Sequence, residues 1–499
     1  MSRRILPLIV SIGLLAAAAA PAIAASLVPT PRATELPVAA TNRPFLGAAR
    51  TRQPVDLGVA GYVEKEYLVT GLAGVPDWNA QGMSPAVRLR SDNHPYVTRM
   101  LVRRPAERAR FSGRVVVELL DGAGGSDTAP LWGLSAAHFL RDGDAWVGLT
   151  VMPAAAEALR RFDSMRYKDI RLAAPSSQDC RNAPTTPDQG LAWDVIAQAG
   201  ALLRSSSKEN PLVDFDVRRL VAGGYGRAGS YVVTYVNVAH DTLRLGNERP
   251  VFDAYVDVAG VDGAAPLHDC AASMTAEDPR RQVPKRDVPV ITVMTQTDVG
   301  RTQWMRRSDG DAEDDVYRLY EIAGMGHAGP FPAGQPSSLD AKIAGIDASA
   351  DVVCLEPAST FPAGLAMNAI WQQLDELLVD GKALSSVPRI ETGEAGVVRV
   401  DTLGNAIGGW RLPQLDLPLA VYRATNRARP DAPAAQGLCA LTPMMRRLEP
   451  AKLKALYGNR ATYLKKFNAA LETAVSDRRL TAADASAVRA QMAKAVPQF

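Results

Sequence analysis

The sequence predicts an α/β protein with a mostly parallel central sheet flanked by helices, cap insertions and a C-terminal helical appendage. Short apolar runs ending in glycine-rich turns recur along residues 115–322, and stretches of helical periodicity separate them. Apolar strands that alternate with helices belong to a parallel sheet covered on both faces. The composition agrees: 47% hydrophobic and 22% charged residues over 499 positions mark a globular chain long enough to bury a large core, which excludes disordered, collagen-like and coiled-coil classes.

In chain order, Met1 to Ala25 reads as a signal peptide. Arg3 and Arg4 form a basic start, Leu8 to Ala20 an apolar run too short to span a bilayer comfortably, and Ala22-Ile23-Ala24 a small-residue cleavage site. The arginine pair also has the look of a twin-arginine signal, but an ordinary export leader is the reading we favour. The expected location is therefore periplasmic or secreted. Residues 26–57, rich in Pro, Thr and Ala, form an extended lead-in. The main domain spans 58–388. Val115 to Leu120 and Ala145 to Thr150 are strands, Leu191 to Arg204 a helix. Leu220 to Ala222 is a strand that enters Gly223-Gly224, followed by a helix to about Ala239. Ala254–Val258, Val290–Met294 and Val316–Ile322 are further strands. Gly364 to Leu378 is a helix, with Gly381 just past its end. Two irregular insertions, 153–190 and 262–286, are long enough to cap the carboxyl edge of the sheet, where ligands bind in such folds; surface insertions with no part in a pocket are the other reading. Residues 389–499 form an appendage, strand-like and then helical, packed on the main domain. Thr481-Ala482-Ala483-Asp484 in it has capping-box spacing.

The formal charge is +3, and loss of the two leader arginines lowers it by two to +1. A near-neutral body gives no reason to expect a nucleic-acid partner. No later segment is apolar for long enough to cross a membrane, so no span is expected in the mature chain. Four cysteines stand at 180, 270, 354 and 439, an even number that points to disulfides in an exported chain. From position alone we expect Cys180–Cys270 and Cys354–Cys439. No metal cluster, nucleotide-binding loop or cofactor motif is found, and the glycines after Asp121 lack the lysine and hydroxyl residue of a phosphate loop.

The chemical question lies in Gly224-Tyr225-Gly226-Arg227-Ala228-Gly229, a turn between strand and helix. Serine hydrolases of α/β type hold their nucleophile on such a turn, as Gly-x-Ser-x-Gly, with an acid and then a histidine later in the chain. Here the apex is Gly226, a residue that adopts the strained backbone without steric cost. Ser230, about one helical turn on, and Ser126, in the glycine-rich loop, are more readily read as ordinary helix and loop serines. Tyr225 is placed to touch a ligand, but a phenol is mostly protonated at neutral pH and a poor acyl acceptor. Asp298, past the strand Val290–Met294, stands where an orienting acid belongs. His327, in a glycine-lined loop past Val316–Ile322, stands where the base belongs. His94, His138, His240 and His268 lack that context and are read as structural or exposed.

Four stretches make the chain resemble the secreted bacterial α/β-hydrolase domain family of serine-esterase-like proteins. They are Val115-Val116-Val117-Glu118-Leu119-Leu120-Asp121-Gly122-Ala123-Gly124-Gly125-Ser126-Asp127, then Gly224 to Tyr235, then Tyr320-Glu321-Ile322-Ala323-Gly324-Met325-Gly326-His327-Ala328, and finally Asp401 to Pro413. The resemblance runs from about Gly58 to the end and implies the α/β-hydrolase fold. It implies His327 as general base and Asp298 as its acid, with Gln296 as the alternative acid position, and oxyanion donors from the backbone of Arg227 and of the loop near Gly122. It supplies no nucleophile, because Gly226 departs from the family pattern; Arg227 departs too, where the family carries glutamine. Three readings follow: a degenerate esterase that binds a small apolar ester or acyl compound, a hydrolase using His327-activated water or another nucleophile, and a non-catalytic envelope binding protein.

Overall fold

The computed structural model describes residues 26–39, 42–78, 87–174, 188–271, 274–275, 278–329, 331–346 and 353–499. The stretch read as a signal peptide and Cys180 lie outside them. A ten-stranded sheet forms the body of the protein. The strands before the first helix are β1 (Ser26–Leu27), β2 (Arg32–Leu36), β3 (Tyr62–Trp78), β4 (Val87–Pro105) and β5 (Arg114–Leu119). β6 (Ala145–Leu149), β7 (Arg219–Tyr225), β8 (Leu243–Arg244), β9 (Ala254–Val258), β10 (Val290–Thr295), β11 (Gly310–Ala312) and β12 (Asp315–Ile322) follow. The sheet order is β11-β12-β10-β9-β7-β5-β6-β4-β3-β2. The run from β12 to β6 is parallel, and antiparallel strands extend it at both edges.

Every residue of β5, β6, β9 and β10 is buried, as a strand covered on both faces requires. Helices α1 (Pro130–Asp142), α2 (Pro153–Phe162), α3 (Ala192–Arg204), α4 (Arg227–Val238), α5 (Ser338–Ile343) and α6 (Gly364–Asp380) complete the layers. Two large apolar clusters lie within this body, one containing Trp193, Tyr231 and Tyr235, the other Trp132, Trp146 and Trp371. Glu118 is fully buried in β5 and accepts bonds from the Leu131 and Trp132 amides at 2.7 and 2.8 Å and from the Trp146 indole at 2.8 Å. A carboxylate thus sits on the open donors at the start of α1. Burial nevertheless pushes Glu118 up to about 7.

The structure departs from the sequence reading in three places. The insertion 153–190 is not irregular at its start, because Pro153–Phe162 is a helix with proline at its first turn. The lead-in contributes an edge strand, β2. The long antiparallel pair β3–β4 was not foreseen: it is rich in Arg and Glu, which the apolar-run criterion passes over. Some of those charges are internal. Arg99 binds Glu66, the carbonyl of Phe45 and, at 3.1 Å, Asp127, while the Thr150 hydroxyl donates to Asp127 at 2.5 Å. Pairing makes such burial tolerable, and it anchors the far end of the loop that starts at Asp121.

Residues 389–499 divide into two parts. Trp410, Leu412 and Tyr422 join the main apolar cluster, and Trp410 lies against the Tyr320 ring at 4.9 Å between centroids. Helices at Pro450–Tyr457, Arg460–Ser476 and Ala482–Ala495 build a core of their own around Tyr463, Phe467 and Leu471. Thr481 caps the last helix by accepting from the Asp484 amide at 3.0 Å. The expected disulfide Cys354–Cys439 is formed, with 5.6 Å between its α-carbons. Cys270 is disulfide-bonded as well.

Candidate active site

β7 ends at Tyr225 and α4 starts at Arg227, so one residue turns the chain. That residue, Gly226, has φ 58° and ψ −122°, a conformation that only glycine reaches without strain. The return is tight: a Cβ on Gly224 would stand 2.3 Å from the Ala228 carbonyl oxygen. The Gly226 amide donates to Val258 at 2.8 Å, which pins the turn to the end of β9. A Cβ on Gly226 would lie 3.2 Å from Asp121 Oδ2 and 4.0 Å from His327 Nε2.

The histidine loop follows β12. Gln296 accepts from the Gly324 amide at 2.7 Å, so Gln296 shapes this loop and is not the acid beside the imidazole. A Cβ on Gly326 would come within 2.5 Å of Pro443, and the Ala328 amide donates to the Leu441 carbonyl at 2.8 Å, so residues of the appendage back the loop. Tyr225 spends its hydroxyl on the His327 carbonyl at 2.6 Å and packs its ring on Phe331 at 5.2 Å. It is buried, and burial together with the Asp298 and Asp121 charges raises its phenol well above the ordinary range. The tyrosine predicted to touch a ligand is thus a prop for the histidine loop.

His327 Nδ1 lies 3.1 Å from both carboxylate oxygens of Asp298, which is fully buried and takes a second bond from the Thr295 hydroxyl at 2.6 Å. With Nδ1–H donated to the acid, Nε2 is the nitrogen turned toward position 226. Burial alone would lower the imidazole pKa. The hydrogen bond and charge of Asp298, helped by Asp121 and opposed by Arg301, outweigh it and raise the imidazole above its ordinary value.

Asp121 is the site residue that sequence reasoning passed over. It heads the glycine-rich turn after β5 and is half-buried. Its Oδ1 accepts from the Ala123 amide at 3.1 Å, and its Oδ2 is the atom nearest the side-chain direction of Gly226. Burial pushes it up to about 6, against the Ala123 N–H and the positive charges of His327 and Arg227. Its position past a strand end, on the edge where Asp298 and His327 gather, was the available signal.

The two backbone groups predicted as oxyanion donors flank the same spot in sequence. Among the described residues, neither the Gly122 amide nor the Arg227 amide donates to a protein acceptor, and Arg227 opens α4 at the positive end of its dipole. The Arg227 side chain is exposed and reaches Gln189 at 3.4 Å. Ser126 and Ser230 are buried. The remaining histidines are engaged elsewhere: His94 with Ser91 at 2.8 Å, His138 with Arg114 and Arg141, and His240 with Tyr255 and Asp287. Asp188, His268 and Cys270 converge within 4.8 Å, but the sulfur is in a disulfide and His268 is bonded to Asp77 and to the Cys270 amide, each at 3.2 Å.

A single-residue turn between a parallel strand and a helix, faced by a buried carboxylate–imidazole couple, defines a hydrolase-type α/β architecture. The chain belongs to the alpha/beta hydrolase domain family, which matches residues 28–490. Solved structures similar to it include a carboxylesterase of Lactobacillus plantarum, 13% identical over 45% of this chain and 78% of that one, with a TM-score of 0.28. Esterase Est22 is 13% identical over 57% of this chain and 79% of its own, with a TM-score of 0.31. A serine hydrolase without a lid from Xanthomonas campestris is 9% identical over 50% and 86%, with a TM-score of 0.27. No curated protein sequence matches the chain at a significant level. Among the described residues no helix is long and apolar enough to cross a membrane.

Proposed function

We propose that this chain is an exported α/β hydrolase of carboxylic-ester type from which the acyl-serine route has been removed. It holds a small apolar ester or acyl compound at the turn between β7 and α4 and has weak or no turnover through a serine. The observation that carries this reading is the geometry of residue 226. Its backbone has the strained conformation of an elbow, and its side-chain direction points within 4.0 Å of His327 Nε2, yet the residue is glycine. Loss of the serine from a comparable triad costs on the order of 10⁶ in kcat, leaving only binding and oxyanion stabilisation.

The test is labelling by a fluorophosphonate, which reacts with activated serines. The native protein stays unlabelled, and folded Gly226→Ser becomes labelled at the new serine. Failure of that folded variant to react, with labelling absent also at pH 8, overturns the reading.

A further inference from the structure

Removal of the serine leaves a second reactive group unexplained. Asp121 Oδ2 stands 3.2 Å from the place of a Cβ on residue 226, and His327 Nε2 stands 4.0 Å from the same place, so a carboxylate and an imidazole border one small volume. Glycine at 226 keeps that volume open. The carboxylate is held by a single backbone bond from Ala123, on Oδ1, which leaves Oδ2 for chemistry. The imidazole is oriented from behind by Asp298, so that Nε2 is its working nitrogen.

Resting on the reading of 226 as the place of a lost nucleophile, we infer that Asp121 is the general base of a direct, serine-free ester hydrolysis in which His327 is the general acid. The Asp121 carboxylate takes a proton from a water molecule. The water oxygen forms the bond to the ester carbonyl carbon, and the carbonyl oxygen becomes an oxyanion near the free amides of Gly122 and Arg227. As the tetrahedral intermediate collapses, the carbon–alkoxy bond breaks, its electron pair goes to the leaving oxygen, and protonated His327 delivers the proton from Nε2. The products are an acid and an alcohol. The proton on Asp121 then passes to His327 through solvent, and both groups return to their starting forms.

The electrostatics suit these starting forms. Asp121 faces the cations His327 and Arg227 and the anion Asp127, which is itself paired with Arg99. His327 faces the anions Asp298 and Asp121 and the cation Arg301. A carboxyl at about 6 is ionised at neutral pH yet more basic than an ordinary aspartate. An imidazole raised above its ordinary value holds its proton further toward neutrality. Asp121 also becomes neutral in the step that creates the oxyanion, so its own charge does not oppose it.

The experiment is hydrolysis of p-nitrophenyl acetate and butyrate by the full mature chain, with and without fluorophosphonate. The expected result is turnover that fluorophosphonate does not block, with kcat/KM falling below about pH 6 as Asp121 protonates. Asp121→Asn keeps the shape and the Ala123 bond; it lowers kcat by on the order of 10²-fold or more and removes the limb near pH 6. His327→Gln lowers kcat as well and leaves that limb in what remains. Absence of turnover above the uncatalysed rate in the native protein overturns the inference, and so does an Asp121→Asn protein, folded by circular dichroism, that keeps the rate or the limb. Labelling of Gly226→Ser is independent of either failure.

Discussion

Gly226→Ser, alone and combined with Asp121→Asn, separates the two roles assigned to the site. The new Cβ lies 4.0 Å from His327 Nε2, so a hydroxyl one bond further out comes within hydrogen-bond reach, ~2.6–3.2 Å, in the rotamer that faces the ring. The backbone at φ 58° costs a non-glycine residue on the order of 1–3 kcal/mol, a loss of a few degrees in Tm. The same Cβ is 3.2 Å from Asp121 Oδ2, and the carboxylate must give by a few tenths of an ångström. With the serine in place the gain available is on the order of 10⁶, the cost of losing that group from a comparable triad. Asp121 takes back part of it. In the serine route His327 accepts the proton, Asp121 stays charged, and an oxyanion within about 5 Å of it meets a repulsion of ~3 kcal/mol at an effective dielectric of 20. That is about 10²-fold. The single variant is therefore expected to acylate slowly, and the double variant about 10²-fold faster, in burst kinetics with p-nitrophenyl butyrate. A double variant no faster than Gly226→Ser would refute the placement of Asp121 beside the reacting oxygen.

Three further outcomes follow from the packing. His138 is buried between Arg114 and Arg141, and burial, reinforced by those two cations, lowers its pKa from 6.5 to about 2. The native state therefore refuses a proton that the unfolded chain accepts, and stability is lost as pH falls below 6.5, by at most ~1.4 kcal/mol per pH unit. His138→Gln should flatten the dependence of Tm on pH over that range. Trp410→Ala removes a fully buried indole between the appendage and β12 and should cost about 3–5 kcal/mol, read from urea unfolding; a loss under ~1 kcal/mol would show the appendage to be dispensable. Replacing Cys354 and Cys439 together by alanine opens a cross-link spanning 85 residues and should cost about 4–5 kcal/mol on loop entropy.

The parallel core was legible because its strands are apolar on both faces and its turns are marked by glycine, as at Gly223 and Gly224. The order of turn, acid and histidine was legible for the same reason, since each chemical group follows a strand end. The β3–β4 pair was not, because half of its surface is polar and its buried Arg99 and Glu66 read as surface charge until the fold pairs them. Asp121 was missed because a carboxylate opening a glycine-rich turn has an ordinary local role. Its importance comes from residues 105 and 206 positions away, which sequence spacing does not bring together. The tyrosine at 225 was given a ligand-facing role that its hydrogen bond to the His327 carbonyl does not leave open.

The support of the histidine loop by Leu441 and Pro443 ties chemistry to the order of synthesis. On a growing chain, β5, the turn at 226 and Asp298 emerge long before the segment that braces His327. The imaging of a chain made only that far would show a sheet with its histidine loop still unbraced. Only once the chain has been made past Pro443 do the last struts arrive, and release at any earlier codon leaves the His327 loop without them.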